Sequence, residues 1–301
     1  MERWIQNLVK KNSALCLNDL ILPGTHNSSC FRVETDELFT NDGERNTWFL
    51  NCWPASSIVK KWTINQNNDM YDQLLAGVRI FDLDVSYNHK TNKFYSSHRF
   101  AISPIEYCLK NLNSYSNMYN EPFIIKIITR YGMDQESKDD FARILFQYFG
   151  NKMIQPGDFL EPLTTPIKKF IEKKKNIIIY FNHHSFYNLN QIWSSWANKH
   201  NTEQCILSCQ NTFDEYIKNK KNLQNIFMDL NWTMTQNASV IIKGCLLCWG
   251  YYDLESWQKD FIESLVDFIK KNKKNIKMLN SISTDFAIDT GSIKEIVSLN
   301  F

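Results

Sequence analysis

Short apolar runs recur along the chain, separated by segments whose apolar positions fall three or four residues apart. The runs read as strands buried on both faces and the spaced segments as amphipathic helices. This pattern predicts alternating β and α units around a parallel sheet. Strands are expected from Leu20 to the Pro-Gly turn, and at 77–85, 93–99, 122–131, 176–182, 204–210, 225–231 and 278–286. Helices are expected at 1–12, 69–76, 104–112, 138–149, 166–174, 189–199, 212–220 and 257–271. About eight such strands suit a closed α/β barrel. An open doubly wound sheet would want a glycine-rich phosphate turn, and the sequence offers none. With 301 residues and no linker, internal repeat or low-complexity tract, the chain reads as one domain over 1–301.

Two segments stand apart from this alternation. Residues 31–65 have no period: they are acidic first (Glu34, Asp36, Glu37, Asp42, Glu44), then aromatic (Trp48, Phe49, Trp53, Trp62). They read as a loop excursion over one mouth of the fold. The helix expected at 1–12 gathers Trp4, Ile5, Leu8 and Val9 on one side. It either covers the base of the barrel or touches a membrane surface.

Composition narrows the partners. A hydrophobic content of 43% and an aromatic content of 14% supply a sizeable core. The net charge of +2 provides no basic face for nucleic acid. Lysine runs at 173–175, 218–221 and 270–274 read as solvated helix ends. No stretch has the length of a membrane span, and the first residues lack a signal-peptide run. A monomeric, cytoplasmic protein peripheral to membranes is therefore expected. The eight cysteines form no disulfide framework. Cys245-Leu-Leu-Cys248 lacks a second ligand pair, so buried thiols are expected there.

The chemistry centres on Gly77-Val-Arg-Ile-Phe-Asp-Leu-Asp-Val85. Asp82 and Asp84 share one face of that strand with Ile80. Two acids leaving an apolar strand together repel each other and lose hydration. They need a counter-charge, and a hard divalent cation is the usual one. Two exposed acids on an edge strand are the plain alternative. Upstream, a strand from Leu20 breaks at Pro23-Gly24 and delivers His26 and Asn27, a placement suited to acid–base work.

Taken together, Leu22-Pro-Gly-Thr-His-Asn-Ser28, the block from Tyr71 to Asp84 and Ser96-Ser-His98 resemble the catalytic X region of phosphatidylinositol-specific phospholipases C in order and spacing. Asn231-Trp-Thr233 and Ser283-Thr-Asp-Phe286 resemble its small single-domain members. The resemblance covers nearly the whole chain. It implies a TIM-type (β/α) barrel, distorted or incompletely closed, that cleaves an inositol phospholipid between glycerol and phosphate. It implies His26 and His98 as the catalytic pair, and Asp285 as the acid orienting His26, with a strand-end cap as the other reading of Asp285. Metal-independent bacterial members have Arg at the position of Asp84 and Asp at that of Asn27. The chain therefore resembles the calcium-dependent class, with Asn27, Asp82 and Asp84 as ligands of Ca²⁺.

One position departs from that class, because Ile128 stands where such relatives carry a further Glu. Water and phosphate oxygen, or an acid from the 34–44 loop, would complete the shell. If Lys126 instead pairs with Asp82 or Asp84, the site is metal-free. Lys126 and Arg130 are candidates for phosphate or inositol contacts and Asn182 for a ring hydroxyl, with ordinary salt bridges or strand-end bonds as alternatives. The expected products are diacylglycerol and a cyclic or acyclic inositol phosphate. Rival readings are an inactive inositol-lipid-binding barrel and a glycerophosphodiester phosphodiesterase-like enzyme.

Overall fold

In the computed structural model, which describes residues 1–34, 55–98, 100–159, 161–219, 226–237, 239–241 and 253–301, strands and helices alternate as the pattern requires. In chain order these are α1 (Trp4–Lys11), β1 (Leu22–Thr25), α2 (Ala55–Lys61), α3 (Met70–Ala76), β2 (Ile80–Asn88), β3 (Lys93–His98), β4 (Phe100–Pro104), α4 (Ile105–Tyr119) and β5 (Phe123–Thr129). There follow α5 (Gln135–Phe149), β6 (Met153–Ile154), α6 (Ile167–Glu172), β7 (Ile177–Phe181), β8 (Ile192–Ser194), α7 (Thr202–Asn219), β9 (Phe227–Trp232), α8 (Leu254–Lys271), β10 (Ser281–Thr284) and α9 (Ser292–Ser298).

Eight parallel strands run in the order β6-β7-β5-β2-β1-β10-β9-β8, and the antiparallel ribbon β3-β4 extends β2. Among the described residues β6 and β8 are the two edges, so the barrel is curled but not closed. Helices cover the outer face in two apolar clusters. Ile5, Leu74, Leu109, Leu145 and Phe170 pack against β2, β5 and β7, while Phe213, Phe261 and Leu265 pack against β9 and β10. The strands thus bury apolar side chains outward and turn Asp82, Lys126, Asp229, Ser281 and Ser283 inward, as the two-residue period dictates.

Local signals explain the element that precedes β2. Asp69 caps α3, its carboxylate accepting from the Tyr71 and Asp72 N–H groups, and Gly77 ends the helix with φ 116°. The base of the barrel explains α1. Trp4, Ile5, Leu8 and Val9 are all buried, and the Trp4 indole donates to Gly77 O at 3.1 Å. Glu121 accepts from the Ile5 N–H at 2.7 Å, and the fully buried Arg79 donates to Glu2 O at 2.9 Å. The apolar face of α1 is therefore occupied by the barrel, and the membrane contact considered for it is replaced by a structural role.

Two expected elements are exchanged. The strand expected at 204–210 is part of α7: Cys205, Cys209, Phe213 and Tyr216 recur at helical spacing and form its buried face. The helix expected at 189–199 is instead a short turn leading into β8, a three-residue strand made by pairing with Phe227–Asp229. No strand period can show in three residues, and its neighbour decides its state. Trp62 is fully buried rather than displayed on a loop surface. Asp36, Glu37, Asp42, Glu44, Trp48, Phe49, Trp53, Cys245 and Cys248 lie outside the described residues. Among the described residues no helix is long and apolar enough to cross a membrane.

Gly24 marks the tightest approach between β1 and β10. A Cβ there would meet Ser283 Oγ at 2.2 Å, Ser283 Cβ at 3.1 Å and Ile80 Cβ at 3.3 Å. Relief would require Ser283 to leave its hydrogen bond to Asp229. Gly24→Ala is expected to cost about 1–3 kcal/mol, as overpacking does, read as a lower urea midpoint. An unchanged midpoint would mean that β1 and β10 can separate freely.

Candidate active site

Strand register assembles the site. Thr25 lies opposite Phe81 of β2 and Thr284 of β10. One residue further on, His26 falls between Asp82 and Asp285. The His26 Nδ1 donates to Asp285 Oδ1 at 2.8 Å, which fixes the tautomer and leaves Nε2 for proton transfer. Burial works against the imidazolium, but Asp285, then Asp82 and Asp84, outweigh it and raise the His26 pKa above the ordinary histidine value. The exposed ring of Trp196 meets His26 edge-on, with centroids 5.8 Å apart.

The segment after α2 ties this cluster together. Asn65 Nδ2 donates to Asp285 Oδ1 at 3.0 Å, and Asn27 Nδ2 donates to Asn65 Oδ1 at 3.3 Å. Gln66 donates to the carbonyls of His26 and Thr284 at 2.9 and 3.1 Å. Thr63 O accepts from His98 Nδ1 at 3.1 Å. Asn27 itself has φ 43°, the left-handed conformation in which asparagine is tolerated better than most residues.

Asp82 and Asp84 are both buried, and each keeps an Oδ1 with no hydrogen-bond partner among the described residues. Asp84 Oδ2 accepts from Arg130 Nε at 2.6 Å. Arg130 reaches it because its own N–H donates to Val85 O just beyond the end of β5. Burial pushes the Asp84 pKa up to about 6; Arg130 opposes the rise and Asp82 adds to it. Two orphaned carboxylate oxygens and the amide oxygen of Asn27 are hard donors of the kind Ca²⁺ takes. In the register Ile128 stands opposite Asp84, so β5 adds no carboxylate there. Among the described residues no group of three or more His, Cys, Asp or Glu side chains is placed to hold a metal. The donor set fits such a cation in type, with water or ligand oxygens needed for the rest of its shell. Glu34 is paired with Arg32 at 2.5 Å.

Lys126 does not neutralise the acid pair by a direct bond. Its Nζ crosses the interior to donate to Asp229 Oδ2 at 2.5 Å. Burial disfavours the ammonium, yet Asp229 and then Asp82 hold the Lys126 pKa above the ordinary lysine value. Burial likewise works against the Asp229 carboxylate, but Lys126 and the serine hydroxyls keep its pKa below the usual range. Ser281 and Ser283 each donate to Asp229 Oδ1 at 2.7 Å.

His98 ends β3, just past an irregularity between Ser96 and Ser97 of the kind that re-aims the following side chains. With Asp84, Ser97, Arg130 and Tyr131 it lines a cavity of about 110 Å³. Asp84 thus faces the cavity of one histidine and carries charge that acts on the other. Asn182 stands apart, exposed at the end of β7, its Oδ1 accepting from Leu189 N at 3.4 Å.

Sequence reasoning missed Asp229, Asn65, Thr63 and Trp196. For Asp229 a signal existed: a lone acid in the apolar strand Phe227–Trp232, two residues before Asn231 and so on the same face. Thr63 and Asn65 lie in the segment without a period, and Trp196 lies in the stretch expected to be a helix, so nothing in their spacing marks them.

No family model matches the chain. Human PI-PLC X domain-containing protein 3 is 22% identical over 310 residues, covering 99% of this chain and 93% of that protein. Mouse PI-PLC X domain-containing protein 2 is 23% identical over 308 residues, covering 99% and 87%. The chain resembles PI-PLC X domains over nearly its whole length. The same resemblance appears in three dimensions. Phosphatidylinositol-specific phospholipase C from Listeria monocytogenes superposes with a TM-score of 0.70 at 14% identity, covering 100% of this chain and 98% of that one. A Staphylococcus aureus phosphatidylinositol-specific phospholipase C variant gives 0.68 at 14%, with 100% and 98% coverage. At these identities the structural likeness establishes the fold: a PI-PLC-type barrel, incompletely closed as the sequence led one to expect.

Proposed function

We propose that this PI-PLC X-like chain is a phosphodiesterase that cleaves phosphatidylinositol lipids between glycerol and phosphate. The observation that supports this most directly is the placing of both histidines around one acid pair, with His26 held by Asp285 and His98 beside Asp84 and Arg130. In an inositol lipid the nucleophile is a hydroxyl of the same molecule, so the protein must mainly orient groups and move protons. His26 takes the proton of the attacking ring hydroxyl through Nε2, and Asp285 stabilises the imidazolium that forms. His98 delivers a proton to the departing diacylglycerol oxygen. Arg130 and Lys126 supply positive charge to the phosphoryl group and the ring. Asn27, Asp82 and Asp84 would hold a calcium ion, whose charge would act on a phosphoryl oxygen and on the attacking hydroxyl. The cyclic phosphate so formed is released or opened by water.

The test is hydrolysis of phosphatidylinositol vesicles across a calcium titration, with products followed by phosphorus NMR. A cyclic inositol phosphate is expected first, and its absence would favour attack by bulk water, as in a glycerophosphodiester phosphodiesterase. The Arg130–Asp84 ion pair and the isoleucine at 128 favour one second reading, an inositol-lipid-binding barrel without turnover. Binding to phosphatidylinositol vesicles with no product at any calcium concentration would select it.

The pH dependence of calcium binding is a separate expectation. With the Asp84 pKa near 6, protons compete for the carboxylate below that value. Because the folded pKa is raised, the buried charge destabilises the protein progressively as pH climbs from the ordinary carboxylate range to about 6. Calcium affinity should therefore rise with pH up to about 6 and level off above it, as read by calorimetry. Asp84→Asn should remove that rise.

A further inference from the structure

Asn65 connects two parts of the site that the mechanism treats separately. Asp285, fully buried, can only accept hydrogen bonds as a carboxylate, and its Oδ1 takes one from His26 Nδ1 and one from Asn65 Nδ2. That fixes the orientation of the Asn65 amide, because its nitrogen must face Asp285. The Asn65 oxygen is then turned to Asn27 and accepts from Asn27 Nδ2. The Asn27 amide is oriented in turn, with its nitrogen committed to Asn65 and its oxygen left as the remaining polar atom. The backbone holds Asn65 rigidly in this place: its N–H donates to Cys30 O at 2.8 Å, and its carbonyl accepts from Phe286 N at 2.8 Å.

We infer that Asn65 is a positioning residue that passes the polarity of Asp285 through two amides in series, so that Asn27 offers an oxygen rather than an N–H group to the ligand of the acid pair. A phosphate oxygen would be repelled by that oxygen, whereas a cation or a substrate hydroxyl would be drawn to it. One carboxylate thereby orients the base, His26, and also sets the sign of the dipole at the neighbouring ligand position. The inference rests on the proposed function only for what is bound; the amide polarity stands on the hydrogen bonds themselves.

Substitutions at position 65 test it. Asn65→Leu removes both bonds at similar volume, and Asn65→Asp removes the donor and sets two carboxylates against each other. Each is expected to lower kcat by about 10–100-fold with little change in KM, the usual scale for residues that orient a ligand. His26 Nδ1 and Asn65 Nδ2 share one acceptor atom, Asp285 Oδ1, so the rescue is sought at position 65 itself: Asn65→Gln keeps an amide nitrogen for Asp285 and an amide oxygen for Asn27. Asn65→Gln should be about tenfold more active than Asn65→Leu, although leucine is the closer match in volume, a rescue that a packing role does not give.

The second readout is independent of turnover. The side-chain amide signal of Asn27, assigned in nitrogen-15 NMR by its loss in Asn27→Asp, should move in Asn65→Leu and Asn65→Asp and stay closer to its original position in Asn65→Gln. If the wild type cleaves no phosphatidylinositol, the function fails while this signal still judges the inference. An Asn27 signal unmoved in Asn65→Leu and Asn65→Asp, or Asn65→Gln no better than Asn65→Leu in signal and, where there is turnover, in rate, would overturn it.

Discussion

His26→Ala is expected to lower phosphatidylinositol turnover by about 10²- to 10⁴-fold, the usual contribution of a positioned acid–base side chain. Alanine keeps the strand end but removes the imidazole that Asp285 holds at 2.8 Å. The loss should fall on kcat rather than KM, because the proton moves in the transition state. Asp285→Asn sharpens the test. Burial pushes the His26 pKa down and Asp285 is the largest influence pushing it up, so losing that charge must lower it. The base works unprotonated, so the acidic limb of kcat/KM should shift to lower pH while the maximum falls.

The same pair has a signature in stability. The folded His26 pKa is raised, so its contribution is fully present below the ordinary histidine value and is lost as pH rises through the folded pKa. Urea midpoints of the wild type should therefore fall through that window, and those of Asp285→Asn should fall less. A wild-type rate retained in His26→Ala would remove the phospholipase mechanism outright.

Asp229→Ala should be the most destabilising single change at the barrel centre, costing about 3–5 kcal/mol, because breaking a buried ion pair strands the other charge. Lys126 would be left buried without its partner at 2.5 Å. Ser281 and Ser283 would each lose their acceptor as well. Removing both charges should be milder than removing one. Lys126→Met/Asp229→Leu is thus expected to lie above Asp229→Ala in urea midpoint, even though it loses more polar groups. A cost below about 1 kcal/mol for Asp229→Ala would mean that Asp82, opposite Lys126 in the register, takes over the ammonium.

The sequence determined the parts of this molecule that depend on neighbours along the chain. Asp69 and Gly77 bound α3 because capping needs only the adjacent N–H groups and a left-handed residue. Asp82 and Asp84 share a face because strands alternate, and the helix over 254–271 follows from its apolar spacing. The order of the motifs around His26, Asp82 and His98 likewise carries the resemblance to a PI-PLC X-like barrel within the sequence itself.

Tertiary structure decided which charge meets which. Lys126 in the middle of β5 and Arg130 just past its end lie four residues apart, yet one crosses the interior to Asp229 and the other turns back to Asp84. That choice depends on how strongly the sheet curls, a property of many strands at once. The exchange of state between 189–199 and 204–210 has the same origin, since β8 exists only through its pairing with β9. Asn65 reaches Asp285 across 220 positions of sequence. Hydrogen bonds between such distant polar groups are made by the folded geometry, and no local period in the chain encodes them.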